Sequence, residues 1–273
     1  MKLIFLLLAK LPFKVNKYLG LFIGFILNFG GESKNITRQN IDLCFPKLSD
    51  IEKKILVKKS LTELGKAIAE SFYIWGNSFT KSAKLVSKIN GLDNLKTDKA
   101  IILLTPHFGS FEIVGGILSL HKPLCVLYKP AKNKILDGLI FKSRNKGDMS
   151  VVPTTIKGIA SLSKVLKGGG MIGILPDQYS QHGSINSDFF GIATKATTLL
   201  SKLANKYNVK VILTYAIRNK NSYELFLQEV DIKADDLQIS VNKVNQVIED
   251  LVKKYPEQYI WNYKKFRETH NYN

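Results

Sequence analysis

Residues 99–120, KAIILLTPHFGSFEIVGGILSL, decide the fold of this chain. The apolar run Ala100–Leu104 has the length and the Ile and Leu content of a strand that is buried on both faces of a sheet. Pro106 ends the strand because it has no backbone N–H for the ladder. A second apolar run then repeats at helical spacing. The stretch predicts a strand, a tight turn and a helix, with His107 at the carboxyl end of the strand and Glu112 in the first helical turn.

His107 and Glu112 are candidate catalytic residues, since ligands of open α/β sheets bind at the carboxyl ends of the strands. Their spacing of five residues does not place both side chains on one helix face, so the turn has to bring them together. A paired carboxylate would fix the tautomer of the imidazole and raise the basicity of its other nitrogen. Such a pair is a general base that can activate a hydroxyl. The other interpretation is a surface ion pair or a structural core histidine.

Strand and helix patterns alternate from residue 99 onward. They predict strands at 124–128, 150–152, 171–175, 209–217 and 223–230, and helices at 134–146, 156–166, 194–207 and 241–254. Repeated strand–helix units imply an α/β fold with a mainly parallel sheet flanked by helices. We expect three parts: an apolar and basic segment at 1–30, a helical part at 31–98 and an α/β core at 99–273.

The segment 1–30 contains two apolar runs on either side of a lysine-rich stretch. Neither run has the ~20 residues needed to span a bilayer. The segment also lacks the small-residue cleavage site of a signal peptide. We therefore expect it to lie in the membrane interface, with its lysines towards lipid phosphates. The alternative is an amphipathic helix that closes the core.

The part at 31–98 is predicted to be helical. Ser49 and Glu52 have the spacing of a capping box that opens a long helix. A second, short helix is expected at 81–89. The long helix carries an apolar stripe that we expect in the core: Ile51, Ile55, Leu64, Ile68, Phe72 and Trp75.

The composition is strongly basic, with 40 Lys and Arg against 22 Asp and Glu and a formal net charge of +18. This excess predicts an anionic partner: nucleic acid, an anionic membrane surface, a phosphorylated substrate or an acidic protein. The 273 residues are enough for one large α/β domain with an appendage. Cys44 and Cys125 have neither metal-type nor redox-type spacing, so we expect a reducing compartment and no metal site.

Further polar residues follow the predicted strands at the same edge as His107. Such residues can form a site, but they also occur as turns and helix caps. In the loop 183–192, Phe189 and Phe190 either fill the core, which is the expectation, or form a wall of a hydrocarbon groove. The polar candidates are Tyr128, Lys129, Asn133, Asp137, Arg144, Asp177 and Gln178.

Together these segments resemble the bacterial lipid A biosynthesis acyltransferases, the late, lauroyl- or myristoyl-type enzymes. The resemblance runs in order through 40–46 (NIDLCFP) with Glu70, 107–112 (HFGSFE, an H-x4-E motif), 128–130 with Asn133, Asp137 and Arg144, 175–178 (LPDQ) with 189–191 (FFG), and 261–267 (WNYKKFR). It covers almost the whole chain. Lys129 replaces the usual Arg, which keeps the charge but loses the planar fork, and Phe111 replaces a frequent Trp.

The resemblance implies transfer of a fatty acyl chain from the thioester of acyl carrier protein to a hydroxyl of a lipid A precursor. His107 would be the general base and Glu112 would orient it. Arg144, or backbone N–H groups after His107, would stabilise the oxyanion. The implied partners are acyl carrier protein, a phosphorylated glycolipid and an anionic membrane surface, on the cytoplasmic face of the cell inner membrane. No cofactor or metal is implied. The residues implied to bind substrate are Tyr128, Lys129, Asn133, Arg144, Asp177 and Gln178.

Two other functions stay open at this point. Glycerolipid acyltransferases use a similar His and carboxylate, usually as Asn-His-x4-Asp, whereas Pro106 and Glu112 occupy the outer positions here. A basic, non-catalytic nucleic-acid-binding protein would account for the charge. No helix-turn-helix, RNP or zinc pattern supports it, however, and the apolar first 30 residues argue against it.

Overall fold

The computed structural model describes residues 2–131 and 133–272 and confirms the α/β class. Met1 of the predicted segment 1–30, and residues 132 and 273 of the predicted core, lie outside the described residues. The helices are α1 (Lys2–Lys10), α2 (Phe13–Phe29), α3 (Glu32–Cys44), α4 (Asp50–Gly76), α5 (Phe79–Ala83), α6 (Phe111–Ser119), α7 (Lys134–Arg144), α8 (Ile156–Lys167), α9 (Leu199–Lys206) and α10 (Leu237–Lys254). The strands are β1 (Val86–Asn90), β2 (Ala100–Leu104), β3 (Leu124–Tyr128), β4 (Met149–Pro153), β5 (Met171–Ile174), β6 (Ser184–Phe189), β7 (Ile192–Thr197), β8 (Val209–Arg218) and β9 (Tyr223–Glu229).

The main sheet has seven strands in the order β1-β9-β8-β2-β5-β3-β4. Strands β8, β2, β5, β3 and β4 are parallel to one another, while β9 pairs antiparallel with β8 and parallel with β1. The central strand β2 is buried along its whole length, as its continuous apolar run predicts. Because five strands share one direction, their carboxyl ends and the loops that follow them meet at one edge.

Two predicted helices are wrong where strands form instead. Residues 192–197 of the predicted loop and helix form β7, which pairs antiparallel with β6 in a separate hairpin. Its β-branched Thr residues and alternating burial favour a strand over a helix. The second half of the predicted helix 81–89 instead belongs to β1 (Val86–Asn90), because the edge of β9 offers it a hydrogen-bonding partner.

The long helix α4 begins where the sequence predicts, but a different face of it is buried. Its capping box is confirmed, since Glu52 accepts a hydrogen bond from the backbone N–H of Ser49 at 2.8 Å and its own N–H bonds to the Ser49 hydroxyl. The core assignment of its apolar stripe is wrong at Ile51, Ile55 and Ile68, which are 71%, 50% and 38% exposed. A neighbouring face of α4 is buried instead, because α2 and α3 pack against that face.

Helix α2 packs against α4 at backbone distance. A Cβ on Gly65 would lie 2.3 Å from the backbone nitrogen of Gly24, so only glycine allows this approach. The opposite side of α2, which we call its outer face, exposes an apolar stripe at helical spacing. No described helix combines the length and the hydropathy that crossing a membrane requires. The outer face consists of Tyr18, Leu21, Phe22, Phe25, Ile26 and Phe29.

Candidate active site

The imidazole of His107 is held by the carboxylate of Asp177. The Nδ1 atom of His107 lies 2.9 Å from Oδ1 of Asp177, and the backbone N–H of His107 donates to Oδ2 at 3.1 Å. A carboxylate accepts only, so Nδ1 carries the proton and Nε2 presents its lone pair. Among the described residues Nε2 has no hydrogen-bond partner. The pair therefore has the geometry of a general base with an orienting carboxylate.

The sheet order explains why these two residues meet. His107 follows β2 and Asp177 follows β5, and β2 and β5 are adjacent parallel strands. The turn after His107 is tight because Gly109 adopts a φ of +53° and packs against a neighbouring backbone. A Cβ on Gly109 would lie 1.9 Å from the carbonyl oxygen of Ala216, so this turn requires glycine. The ring of Phe111 packs on the His107 ring with centroids 5.1 Å apart.

The predicted pairing of His107 with Glu112 is wrong as a hydrogen bond. The carboxylate of Glu112 accepts from Nε of Arg144 at 3.1 Å, from a second nitrogen of the same guanidinium, and from the Trp75 indole N–H at 3.0 Å. Glu112 lies in the first turn of α6, where α7 and α4 supply these donors from the other side. Asp177, and not Glu112, orients the ring, although Glu112 and His107 line the same cavity.

The electrostatics of Asp177 favour its charged form. Burial would raise the pKa of its carboxyl, but the adjacent His107 ring and the buried Lys265 outweigh burial and lower the pKa. The same carboxylate, together with burial, raises the pKa of Tyr259 well above its ordinary value. Asp177 is therefore anionic at neutral pH and stabilises an imidazolium at His107.

A cavity of about 350 Å³ adjoins His107, within the ~300–1,000 Å³ typical of small-molecule sites. Leu124 begins β3 and Met149 begins β4, whereas Tyr128 ends β3. The cavity thus extends along the strands for roughly 13 Å, the rise of four strand residues. One part of its lining is polar, with His107, Glu112, Tyr128, Lys129, Arg144 and Gln178, and the other part is apolar, with Leu103, Gly115, Leu124, Val126, Met149 and Gly173.

The structure separates Asn133 from the other substrate-binding candidates. Its side-chain oxygen accepts from the backbone N–H groups of Ile135 and Leu136 at 3.0 Å and caps α7, and it is not among the cavity residues. Asp177 lies behind His107, in contact with a smaller cavity. Lys129 is exposed and lies at the cavity. The remaining candidates, Tyr128, Arg144 and Gln178, line the cavity with it.

The backbone N–H groups just after His107 are occupied by protein acceptors. Those of Phe108, Gly109 and Ser110 donate to carbonyl oxygens of Pro106, Gln258 and Ala216. Arg144 is the better oxyanion candidate of the two that the sequence offers. Burial would lower the pKa of Arg144, but Glu112 outweighs burial and raises it, so the guanidinium keeps its charge beside the cavity.

Sequence reasoning missed the contacts that reach this loop from distant parts of the chain. Trp75 was expected in the core, but its N–H fixes Glu112. The C-terminal tail also holds the His107 loop, since the carbonyl of Gln258 accepts from Gly109 at 2.8 Å and Ile260 donates to the His107 carbonyl at 3.0 Å. The WNYKKFR motif at 261–267 directly follows these residues and is the one signal in the sequence that points to the contacts of the tail with the His107 loop.

These groups can deprotonate a hydroxyl beside an apolar cavity, which is the chemistry of acyl transfer to an alcohol. The family model of the bacterial lipid A biosynthesis acyltransferases matches residues 2–268. The chain belongs to this family. It is therefore an acyltransferase of lipid A biosynthesis.

Curated members of the family align along nearly the whole chain. The lipid A biosynthesis palmitoleoyltransferase of Escherichia coli (strain K12) is 27% identical over 270 residues, which is 95% of this chain and 87% of the relative. The lauroyltransferase of the same strain is 25% identical over 272 residues, 96% of this chain and 88% of the relative. The myristoyltransferase of that strain is 23% identical over 258 residues, 89% of this chain and 77% of the relative. The lipid A acyltransferase resemblance expected from the motifs is thus confirmed.

Proposed function

We propose that this lipid A acyltransferase moves a fatty acyl chain from the thioester of acyl carrier protein to a hydroxyl of a phosphorylated lipid A precursor, at the cytoplasmic face of the inner membrane. The observation that carries the proposal is the His107–Asp177 pair beside a cavity that is polar at one part and apolar at the other. A general base and a hydrocarbon site are the two parts that this reaction needs.

In the proposed reaction, Nε2 of His107 takes the proton of the acceptor hydroxyl as its oxygen attacks the thioester carbon. Asp177 stabilises the imidazolium, and the guanidinium of Arg144 stabilises the oxyanion. The C–S bond then breaks, and the imidazolium gives its proton to the departing thiolate. Glu112 acts through Arg144, whose orientation it fixes. A thioester is already activated, so no covalent acyl-enzyme is needed.

The acyl chain would occupy the apolar part of the cavity. That part is lined by strand and helix residues without charged groups, so each methylene placed there leaves water at a gain of about 0.8 kcal/mol. Lys129 at the polar part, together with the net charge of +18, suits an acidic carrier protein and a phosphorylated acceptor.

Membrane association is proposed through the outer face of α2. Phe22 and Phe25 are each 59% exposed and Phe29 is 74% exposed, and Lys10 and Lys14 precede this stripe in the sequence. An apolar stripe with a basic border suits an anionic bilayer interface. Replacing these three Phe residues by Ser should release the protein from phosphatidylglycerol-containing vesicles in high salt. The control Ile156→Ser, at an exposed position on α8, should stay bound.

The catalytic assignment is tested with purified protein, acyl carrier protein loaded with a fatty acid, and a lipid A precursor. His107→Gln and Asp177→Asn should each lower kcat by roughly two to four orders of magnitude. Asn keeps the shape at position 177 and offers the ring a donor as well as an acceptor. Near wild-type turnover of either variant would contradict the assignment.

The rival acceptor is tested in the same assay. Lysophosphatidic acid replaces the lipid A precursor, and product formation is compared at equal concentrations. A preference for lysophosphatidic acid would favour a glycerolipid acyltransferase. Mass spectrometry of lipid A from cells with and without the gene would identify the chain that is added and its position.

A further inference from the structure

Lys265 is a buried lysine that the proposed reaction does not use. It is 5% exposed, and its ammonium donates to the backbone carbonyl of Asp177 at 2.5 Å. Among the described residues this carbonyl is its sole hydrogen-bond acceptor. The ammonium also lies over the ring of Phe189, 4.2 Å from the centroid. Burying a cation that has only one neutral acceptor costs folding free energy. Packing alone therefore does not explain a lysine at this position.

The charges around Lys265 show which group it serves. Burial lowers the pKa of Lys265 to about 8, against an ordinary value of 10.5, and the nearby acidic groups oppose this effect. It is therefore charged at neutral pH, and its charge helps to lower the pKa of Asp177. Three acidic or titratable groups face it from the elements packed around it: Asp177 after β5, Cys44 at the end of α3 and Glu249 on α10.

We propose that Lys265 is a positioning residue that acts through Asp177 and helps to keep the Asp177 carboxylate charged where it holds His107. Its hydrogen bond fixes the Asp177 main chain, while the Asp177 carboxylate lies against Nδ1 of His107. Burial alone would favour the protonated carboxyl, so without the charge of Lys265 we expect Asp177 to take up a proton at higher pH than in the wild type. A protonated Asp177 no longer stabilises the imidazolium that forms at His107 during the reaction.

The inference rests on the proposed function of His107 and Asp177, and the test uses the pH dependence of kcat/KM. Lys265→Met removes the charge and the donor, whereas Lys265→Gln removes the charge and keeps a donor for the Asp177 carbonyl. Lys264→Met is the matched control. Lys264 is the sequence neighbour, lies at the surface and pairs with Glu32 at 2.9 Å.

Both Lys265 variants should move the acidic limb of the profile to higher pH by roughly one unit. This shift lowers kcat/KM about tenfold on the acidic limb and leaves the plateau at higher pH closer to wild type. The control should follow the wild-type profile. A uniform loss of rate with an unmoved limb would overturn the inference, and so would a shift in Lys265→Met alone, because the hydrogen bond would then be the only contribution.

Lys265→Arg keeps the positive charge and should retain the wild-type limb if it folds. Thermal unfolding of each variant shows whether it is folded. If no Lys265 variant folds while Lys264→Met does, Lys265 belongs to the core alone and the inference fails. Failure of the proposed function looks different, because His107→Gln or Asp177→Asn would then stay active.

Discussion

Two Arg–Glu groups flank the His107 loop, one at the cavity and one in the interior, and they differ in function. In the cavity pair, Arg144 and Glu112 are 24% and 9% exposed and line the cavity with His107. In the rear cluster, Arg218 and Glu70 are only 6% and 8% exposed, and Glu63 joins them.

In the rear cluster each of the three guanidinium nitrogens of Arg218 has a protein acceptor. Nε of Arg218 donates to both oxygens of Glu70 at 2.9 and 2.7 Å, and its terminal nitrogens donate to Glu63 at 3.2 Å and to the Gly109 carbonyl at 2.7 Å. Arg144, by contrast, binds Glu112 through Nε and one terminal nitrogen, and among the described residues its other terminal nitrogen has no acceptor and is left for a ligand. Exposure and a nitrogen without a protein acceptor therefore distinguish an Arg that can meet substrate from one that only supports the loop.

The largest expected effect is on stability, at the rear cluster. Arg218→Met leaves the buried carboxylate of Glu70 without its cation, whereas Glu63 keeps Lys66 at 2.5 Å. Breaking a buried pair in this way costs ~3–5 kcal/mol. We expect the free energy of unfolding, measured by urea denaturation, to fall by about this amount. Arg144→Met should lower the free energy of unfolding much less. The carboxylate of Glu112 keeps its hydrogen bond from the Trp75 N–H, and this site is partly open to water.

The double variant Glu70→Leu with Arg218→Met sharpens this test. It removes the guanidinium and its main carboxylate together, and replacing both ions of a buried pair by apolar groups often restores stability. Recovery of most of the lost unfolding free energy would support a purely structural cluster. If Arg218→Met unfolded in urea at the same concentration as wild type, the assignment of a structural role to the rear cluster would be wrong.

The second effect is on turnover, at the cavity pair. Arg144→Ala should lower kcat by roughly a hundredfold or more, the usual loss for one oxyanion donor, with little change in unfolding. Glu112→Ala should lower kcat less, because Glu112 acts through Arg144. A variant with both changes should then be no slower than Arg144→Ala alone, as a double-mutant cycle would measure. Additive losses would instead give Glu112 a role of its own.

The sequence predicted the strands of the core and the edge at which the site lies, because short apolar runs such as β2 are local patterns. It singled out Asp177 but assigned it to substrate binding. Which carboxylate reaches His107 depends on β5 lying beside β2. Asp177 follows β5 and comes 70 residues after His107 in the chain. The direction of Glu112 likewise depends on Trp75 and Arg144, from two other helices. Local patterning carries no information on these contacts.

The smallest expected effect belongs to the apolar part of the cavity. A Cβ added at Gly115 on α6 would lie 3.4 Å from the sulfur of Met149 and would take up cavity space. Gly115→Ala should therefore disfavour the longest acyl chain that the wild-type enzyme accepts. One methylene is worth about 0.8 kcal/mol, which corresponds to about a fourfold change in the ratio of kcat/KM values for two chain lengths.

Gly138→Ala is the matched control, because Gly138 lies in α7 with nothing within 4 Å of an added Cβ. Both changes replace glycine by alanine in a helix, so both gain similar helix propensity and only one alters the cavity. Competition between two acyl carrier protein donors of different length measures the ratio directly. If both variants changed the ratio equally, the change would come from the added helix propensity and not from the cavity. A wild-type ratio in Gly115→Ala would place the acyl chain outside this cavity, and the apolar part of the site would then need another occupant.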